Sequence, residues 1–138
     1  MISIVQRITE AKVVVDGAVV GEIGPGLLVL AAVEQGDGAE QVEWMASKIV
    51  GLRVFRCCEK HFDVDVKQIG GSVLLVSNFT VAAETRKGRR PSFDGAMDPK
   101  AAEPVFNQLF EAVRKLGVPV QTGKFGAMMQ VSLTNAGP

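Results

Sequence analysis

The sequence holds one histidine and two cysteines, too few for the chemistry these residues usually carry. Cys57 and Cys58 are adjacent, and neighbouring residues do not meet ordinary disulfide geometry without strain, so they read as reduced thiols rather than a scaffold. With His61 they make three potential donors, short of a structural zinc set, and no metal is expected. No apolar run approaches the roughly 18 to 20 residues of a membrane span. The start, Met1-Ile2-Ser3-Ile4-Val5-Gln6-Arg7, places no basic stretch ahead of a long apolar one, so no secretory signal is expected and the cytoplasm is the default location. Repeats, linkers and low-complexity tracts are absent, and a length of 138 residues fits a single domain over 1–138 that buries its own core.

The familiar catalytic signatures are missing as well. There is no Walker loop, no GxGxxG after a strand, no GxSxG elbow and no HExxH pair. A serine triad needs a histidine to take the proton, and His61 falls in what reads as a variable loop.

What is present is a regular alternation of sheet and helix signals. Ile2, Ile4 and Ile8, then Val13 and Val15, alternate with other residues, and Asp16-Gly17 is a two-residue hairpin signal before a second strand over 18–23. After Gly24-Pro25-Gly26 the run 27–33 is apolar on both faces, as a central strand should be. Asp37 and Glu40 resemble a capping box ahead of Val42, Met45, Ala46, Ile49 and Val50 at helical spacing, with Gly51 ending the helix. Trp44 falls off that stripe. Short strands are expected over 52–55 and 62–66, with His61 in the loop between them. A second helix starts with Asp98 as N-cap and Pro99 in its first position, and buries Ala102, Val105, Phe106, Leu109, Phe110, Val113 and Leu116. Pro104 removes one backbone donor and should bend its first turns. Closing strands are expected over 118–122 and 125–133. The fold class is therefore α/β: one domain, a mixed and largely antiparallel sheet, and two main amphipathic helices.

The chain's chemistry concentrates after the apolar run Val73-Leu74-Leu75-Val76. Ser77-Asn78-Phe79-Thr80 sets two hydroxyls three apart at the end of a buried strand, and Arg86, Lys87, Arg89 and Arg90 follow around Gly88. Four cations in five residues, in a chain of formal net charge zero, are a concentrated patch that suits a polyanion. Hydroxyls at strand ends also bond local backbone, and cationic loops are common on soluble surfaces. Any catalysis by Ser77 and Thr80 would have to draw on backbone dipoles or on the substrate, since no strong base is in view.

Ser77-Asn78-Phe79-Thr80, the loop from Thr85 to Phe93, the stretch Thr122-Gly123-Lys124-Phe125-Gly126-Ala127-Met128-Met129-Gln130-Val131 and the ending Asn135-Ala136-Gly137-Pro138 together resemble the D-aminoacyl-tRNA deacylase family. Val5-Gln6-Arg7, Asp16-Gly17 and residues 24–30 extend the resemblance over nearly the whole chain. The family's usual Gln is here Asn78, one methylene shorter.

The resemblance implies hydrolysis of the ester between a D-amino acid, or glycine, and the terminal adenosine of tRNA, without a cofactor. Ser77, Phe79 and Thr80 would form the catalytic strand end, with Met129 lining the pocket and Phe125 near the adenosine. Arg86, Lys87, Arg89 and Arg90 would meet the acceptor phosphates. Gly137-Pro138, as a cis peptide, would enter the site of a partner subunit and exclude L side chains, which implies a homodimer. DNA and membrane are not expected partners. The alternatives are a non-catalytic nucleic-acid-binding module, or a sibling deacylase acting on tRNA mischarged with a small L-amino acid.

Overall fold

A computed structural model describes residues 1–137; the expected cis Gly137-Pro138 peptide involves Pro138, which lies outside them. The organising element is β1, Ile2–Val15, fourteen residues long and shared by three partners. Its first half pairs antiparallel with β3, Gly26–Ala32, and its second half pairs with β2, Ala18–Ile23, and with β8, Gln130–Asn135. Asp16 and Gly17, at φ 50° and 78°, make the β1–β2 turn as the Asp-Gly signal requires, because both central residues of that turn lie at positive φ.

β3 then pairs in parallel with β6, Ser72–Ser77, and β6 in parallel with β7, Val120–Thr122, giving the order β2-β1-β3-β6-β7 with β8 on β1. The other pairs are antiparallel, so the sheet is mixed and mostly antiparallel. β2 lies across β6 and β7 so closely that a Cβ on Gly21 would come 2.5 Å from the carbonyl oxygen of Thr122. Only glycine fits there.

Both helices lie on one face. α1, Ala39–Gly51, and α2, Pro99–Lys115, bury Val42, Met45, Ile49, Phe106, Leu109 and Val113 against Leu27, Val29, Val73 and Leu75. The opposite face buries Leu28, Leu74 and Val76 against Ile8, Val13 and Ile23 of the curled β1 and β2. β3 and β6 therefore present apolar residues to both sides, which is why their sequences are continuous apolar runs rather than alternating ones. Losing the Leu109 side chain, fully buried between the helices and the sheet, would cost about 2–5 kcal/mol. Among the described residues no helix is long and apolar enough to cross a membrane.

Several local expectations shift. Asp37 does not cap α1. The N-cap is Gly38, whose N–H donates to the Gln41 side chain at 3.0 Å, while Asp37 accepts the Glu34 N–H at 2.7 Å and binds the Met1 ammonium at 2.7 Å. The strands expected over 52–55 and 62–66 are β4, Phe55–Cys57, and β5, Lys60–Val64, so His61 lies in a strand, not a loop. Residues 125–129 precede the last strand rather than belong to it. α2 starts as expected, with the Asp98 carboxylate accepting the Lys100 N–H at 3.0 Å, and Pro104 is accommodated on its exposed side. Leu116 falls beyond the helix and is 40% exposed.

Candidate active site at the end of the parallel strands

Ser77 is the last residue of β6 and stands opposite Ala31 in the parallel ladder. The Asn78 N–H completes that ladder by donating to the Ala31 carbonyl at 2.8 Å, and the chain then turns through one 3₁₀ turn, Phe79–Ala82. Asn78 is the N-cap of the turn. Its Oδ1 accepts from the Thr80 N–H at 3.2 Å and from the Thr80 hydroxyl at 2.5 Å. The Asn78 amide is thus the group that orients Thr80, in keeping with the N-cap preference for Asn. A side-chain amide is not a base near neutral pH, so this hydrogen bond fixes the hydroxyl without activating it. The Phe79 N–H, first of the turn, has no intrahelical acceptor.

Phe79 is 59% exposed, and its ring meets Phe93 edge to face, with centroids 5.2 Å apart. Phe93 belongs to the far side of the basic loop, and this contact ties the loop to the strand end. Glu84 and Ser92 exchange backbone hydrogen bonds at 2.8 and 3.0 Å, closing residues 84–92 into a hairpin with Gly88 at φ 74° near its tip. The Ser92 hydroxyl donates to Asp94 at 2.6 Å, and the Gln35 amide donates to the Asp94 carbonyl at 2.8 Å, anchoring the base. Arg86, Lys87, Arg89 and Arg90 are all exposed on the hairpin, but they are not equivalent. Arg86 pairs with Glu84 at 2.8 Å, and the side-chain and backbone hydrogen bonds from Arg86 hold the Glu84 carboxyl below its ordinary pKa. Among the described residues no carboxylate pairs with Lys87, Arg89 or Arg90.

The remaining site residues are distributed. Met129 packs against the cluster that contains Val76, just before Ser77, and its sulfur occupies the space a Cβ on Gly123 would take, 2.5 Å away. Phe125 packs on Phe106 at 5.8 Å, with the helix-side cluster. The two residues therefore belong to opposite faces of the sheet. His61 is exposed on β5. Cavities of about 280 Å³ between β1, β2 and β8, and about 390 Å³ between α1 and α2, are not lined by Ser77, Phe79 or Thr80. At the strand end Phe79 and Thr80 are exposed, and Ser77 and Asn78 are half-buried.

Sequence reasoning assigned no role to Arg7, which stands opposite Leu27, level with Val73 at the start of β6 and four residues along the ladder from the level of Ser77. Its Nε donates to the Ala136 carbonyl at 2.9 Å, its Nη1 donates to the Val54 carbonyl, and its guanidinium lies 5.9 Å from the centroid of Phe62. The Ala136 N–H in turn donates to the Arg7 carbonyl at 2.8 Å, so both sides of residue 136 are held and Gly137 projects exposed beyond it. The available signal was a cation in a strand position flanked by Val5 and Ile8, where burial demands partners.

Fold and strand end together define a small α/β protein whose mixed, mostly antiparallel sheet carries two helices on one face and ends in an ordered hydroxyl beside a basic hairpin. The family model for D-Tyr-tRNA(Tyr) deacylase matches residues 4–138. The sequence is 50% identical over 138 residues, all of this chain and 90% of the relative, to a D-aminoacyl-tRNA deacylase of Methylococcus capsulatus. It is 48% identical over 138 residues, covering 95% of the relative, to one of Photorhabdus laumondii. In structure it is similar to the solved c-Myc DNA Unwinding Element Binding Protein, with TM-score 0.93 and 39% identity over 99% of this chain and 93% of that one. A probable eukaryotic D-amino acid tRNA deacylase shares the fold at TM-score 0.81 and 15% identity, over 99% of this chain and 94% of that one. The chain belongs to the D-Tyr-tRNA(Tyr) deacylase family, whose members are hydrolases acting on ester bonds.

Proposed function

We propose that the protein hydrolyses the ester joining a D-amino acid, or glycine, to the terminal adenosine of tRNA, and so serves as a cytoplasmic proofreading enzyme of translation. The observation that carries the mechanism is the Thr80 hydroxyl, bound at 2.5 Å to a neutral amide oxygen with no base beside it. A threonine in that state is a poor nucleophile. The ester is itself activated, and the vicinal ribose hydroxyl of the tRNA is placed to assist attack, while an exposed backbone donor holds the developing oxyanion. Phe79 N–H fits that role better than Thr80 N–H, because Asn78 already accepts from the latter.

Tight phosphate contacts come from Lys87, Arg89 and Arg90, with Arg86 partly neutralised by Glu84. Chiral selection is by rejection: Gly137 and Pro138 of one subunit wall the site of the other, which makes the working unit a homodimer. Two features support the dimer. Phe79 and Thr80 stand exposed at the strand end, and Ile2 and Ile4, at 39% and 46% exposure, leave apolar surface uncovered on the first half of β1.

The test is hydrolysis of matched D-, L- and glycyl-tRNA, with a second set ending in 2′-deoxyadenosine, beside a mass measurement in solution. Rapid loss of D and glycyl esters, sparing of L esters and arrest on the deoxy substrate are expected. Equal rates on the deoxy substrate, equal rates on D and L esters, or an active monomer would overturn the reading. A non-catalytic nucleic-acid-binding role is the second reading, favoured by the basic hairpin and by the likeness to a protein named for binding a DNA element. Tight binding of uncharged tRNA or DNA without hydrolysis would select it.

A further inference from the structure

Consecutive residues of a strand point to opposite faces, so two adjacent cysteines in extended backbone hold their thiols apart. Cys57 and Cys58 do not. Cys57 ends β4 opposite Lys60 of β5, and Cys58 takes the left-handed region at φ 56° in the two-residue turn it shares with Glu59. Apart from Asp16, in the Asp-Gly turn, Cys58 is the sole non-glycine residue at positive φ among the described residues. This conformation disfavours a side chain and is usually given to glycine. Here it turns the second thiol back onto the first, with Sγ atoms 3.5 Å apart. The Arg56 guanidinium fixes the turn by donating to the Cys58 carbonyl at 3.1 Å. Cys58 is exposed and Cys57 half-buried, and the hydrogen bond between the thiols holds the Cys57 thiol above its ordinary pKa.

We propose that Cys57 and Cys58 form a reversible, hydroperoxide-sensitive dithiol, a modification site whose oxidation loosens the hold of the β4–β5 hairpin on Arg7. The Cys58 sulfur, the more accessible, attacks one peroxide oxygen as thiolate. The O–O bond breaks, the other oxygen leaves after protonation as water from hydrogen peroxide or as the alcohol from an organic hydroperoxide, and Cys58 becomes a sulfenic acid. Cys57 then attacks that sulfur. The S–O bond breaks, the Cys57 proton and the hydroxyl leave as water, and a disulfide remains. Two thiols are oxidised by two electrons and one hydroperoxide is reduced.

Such a bridge cannot leave the hairpin as it is. Cα atoms across a trans peptide are about 3.8 Å apart, below the roughly 4.4–6.8 Å of ordinary disulfides, so the turn must change its backbone to close the ring. A strained bridge is also readily reduced, which makes the site reversible. The hairpin has little to absorb the change. Arg53 ties its base to Asp63, with Nη2 at 2.8 Å, Val54 offers its carbonyl to Arg7, and Phe62 lies against the Arg7 guanidinium. Arg7 in turn holds Ala136. A turn change at 57–58 is therefore linked through Phe62 and Val54 to the segment leading to Gly137.

The experiment treats the reduced full chain with a small excess of hydrogen peroxide and reads thiol content, mass and peptide maps. Loss of both thiols, a mass lower by about 2 Da within one chain and full recovery with a dithiol reductant are expected. Cys57→Ser should stop at a sulfenic acid on Cys58, trapped by a 1,3-dione probe. Hydrogen exchange in residues 53–64 and 134–136 should rise several-fold on oxidation of the wild type, and stay unchanged in the Cys57→Ser/Cys58→Ser double variant. These readouts do not depend on the proposed deacylation, so a protein inactive on charged tRNA would sink that reading and leave this one standing. Bridges between chains, oxidation passing straight to sulfinic acid, or unchanged exchange in the disulfide form would overturn the dithiol switch.

Discussion

Arg7 and Ala136 are 129 residues apart in sequence and hold each other by two hydrogen bonds, Arg7 Nε to the Ala136 carbonyl at 2.9 Å and Ala136 N–H to the Arg7 carbonyl at 2.8 Å. The first is charge-assisted, and the same guanidinium reaches the hairpin that carries Cys57 and Cys58. The first half of the longest strand thereby positions the end of the chain.

Arg7→Ala should release residues 135–137 while the rest of the sheet persists. A hydrogen bond to a charged group is worth about 1.5–3 kcal/mol, and an unfolding midpoint lowered accordingly is the first readout. The second is discrimination. The ratio of D- to L-ester hydrolysis should fall at least tenfold, and Arg7→Lys should restore stability better than selectivity, because an ammonium lacks the planar fork. Unchanged discrimination with lowered stability would make Arg7 purely structural.

Thr80→Ala should slow deacylation about tenfold without abolishing it, and no acyl-enzyme should accumulate in a quenched reaction. Asn78→Ala should cost about 1 kcal/mol as a lost cap and should lower activity further, because it frees both Thr80 groups at once. Asn78→Gln should retain activity. A complete loss in Thr80→Ala together with a trapped intermediate in the wild type would make Thr80 the nucleophile.

The basic hairpin should reveal itself in salt dependence. Each of Lys87→Ala, Arg89→Ala and Arg90→Ala should reduce the slope of log binding constant against log salt by about 0.7–0.9 for every phosphate left without its cation. Arg86→Ala should reduce it less, since Glu84 already offsets that charge. Four equal effects would mean that the Arg86–Glu84 pair opens on binding.

The Met1 ammonium gives stability a pH dependence. Burial by itself lowers its pKa, but hydrogen bonds and attraction from Asp37 and Glu34, at 2.7 and 2.8 Å, outweigh burial and leave it raised above its ordinary 8.0. A group whose folded pKa is raised contributes fully below its unfolded value and loses that contribution as pH rises through the folded one. Stability should therefore be flat below about pH 7.5 from this source and should decline above pH 8. Denaturation across pH 7–10 should show the decline in the native protein and little of it in Asp37→Asn, whose Asp37 carboxylate, 6% exposed in the native chain, is neutralised.

The sequence by itself determined the elements whose signals are local. The Asp16-Gly17 turn, the apolar stripe of α1, the Asp98-Pro99 start of α2 and the doubly buried β3 and β6 each follow from neighbours within a few residues, where sterics and periodicity act. It also brought together Ser77, Asn78, Phe79 and Thr80, because a strand end followed by a turn keeps them adjacent whatever the rest of the chain does. Tertiary structure decided what depends on distant partners. Asp37, which the sequence reads as a helix cap, is drawn to Met1 because a half-buried ammonium needs counter-charge more than an exposed helix start needs a side-chain cap. Cys57 and Cys58 meet only because pairing of β4 with β5 forces the turn at Cys58, and His61 enters a strand for the same reason. Phe125 and Met129, four residues apart, go to opposite faces as β7 gives way to β8. Arg7 and Ala136 had no mutual signal at all: a hydrogen bond spanning nearly the whole chain exists only once β8 pairs with β1 and sets the two side by side.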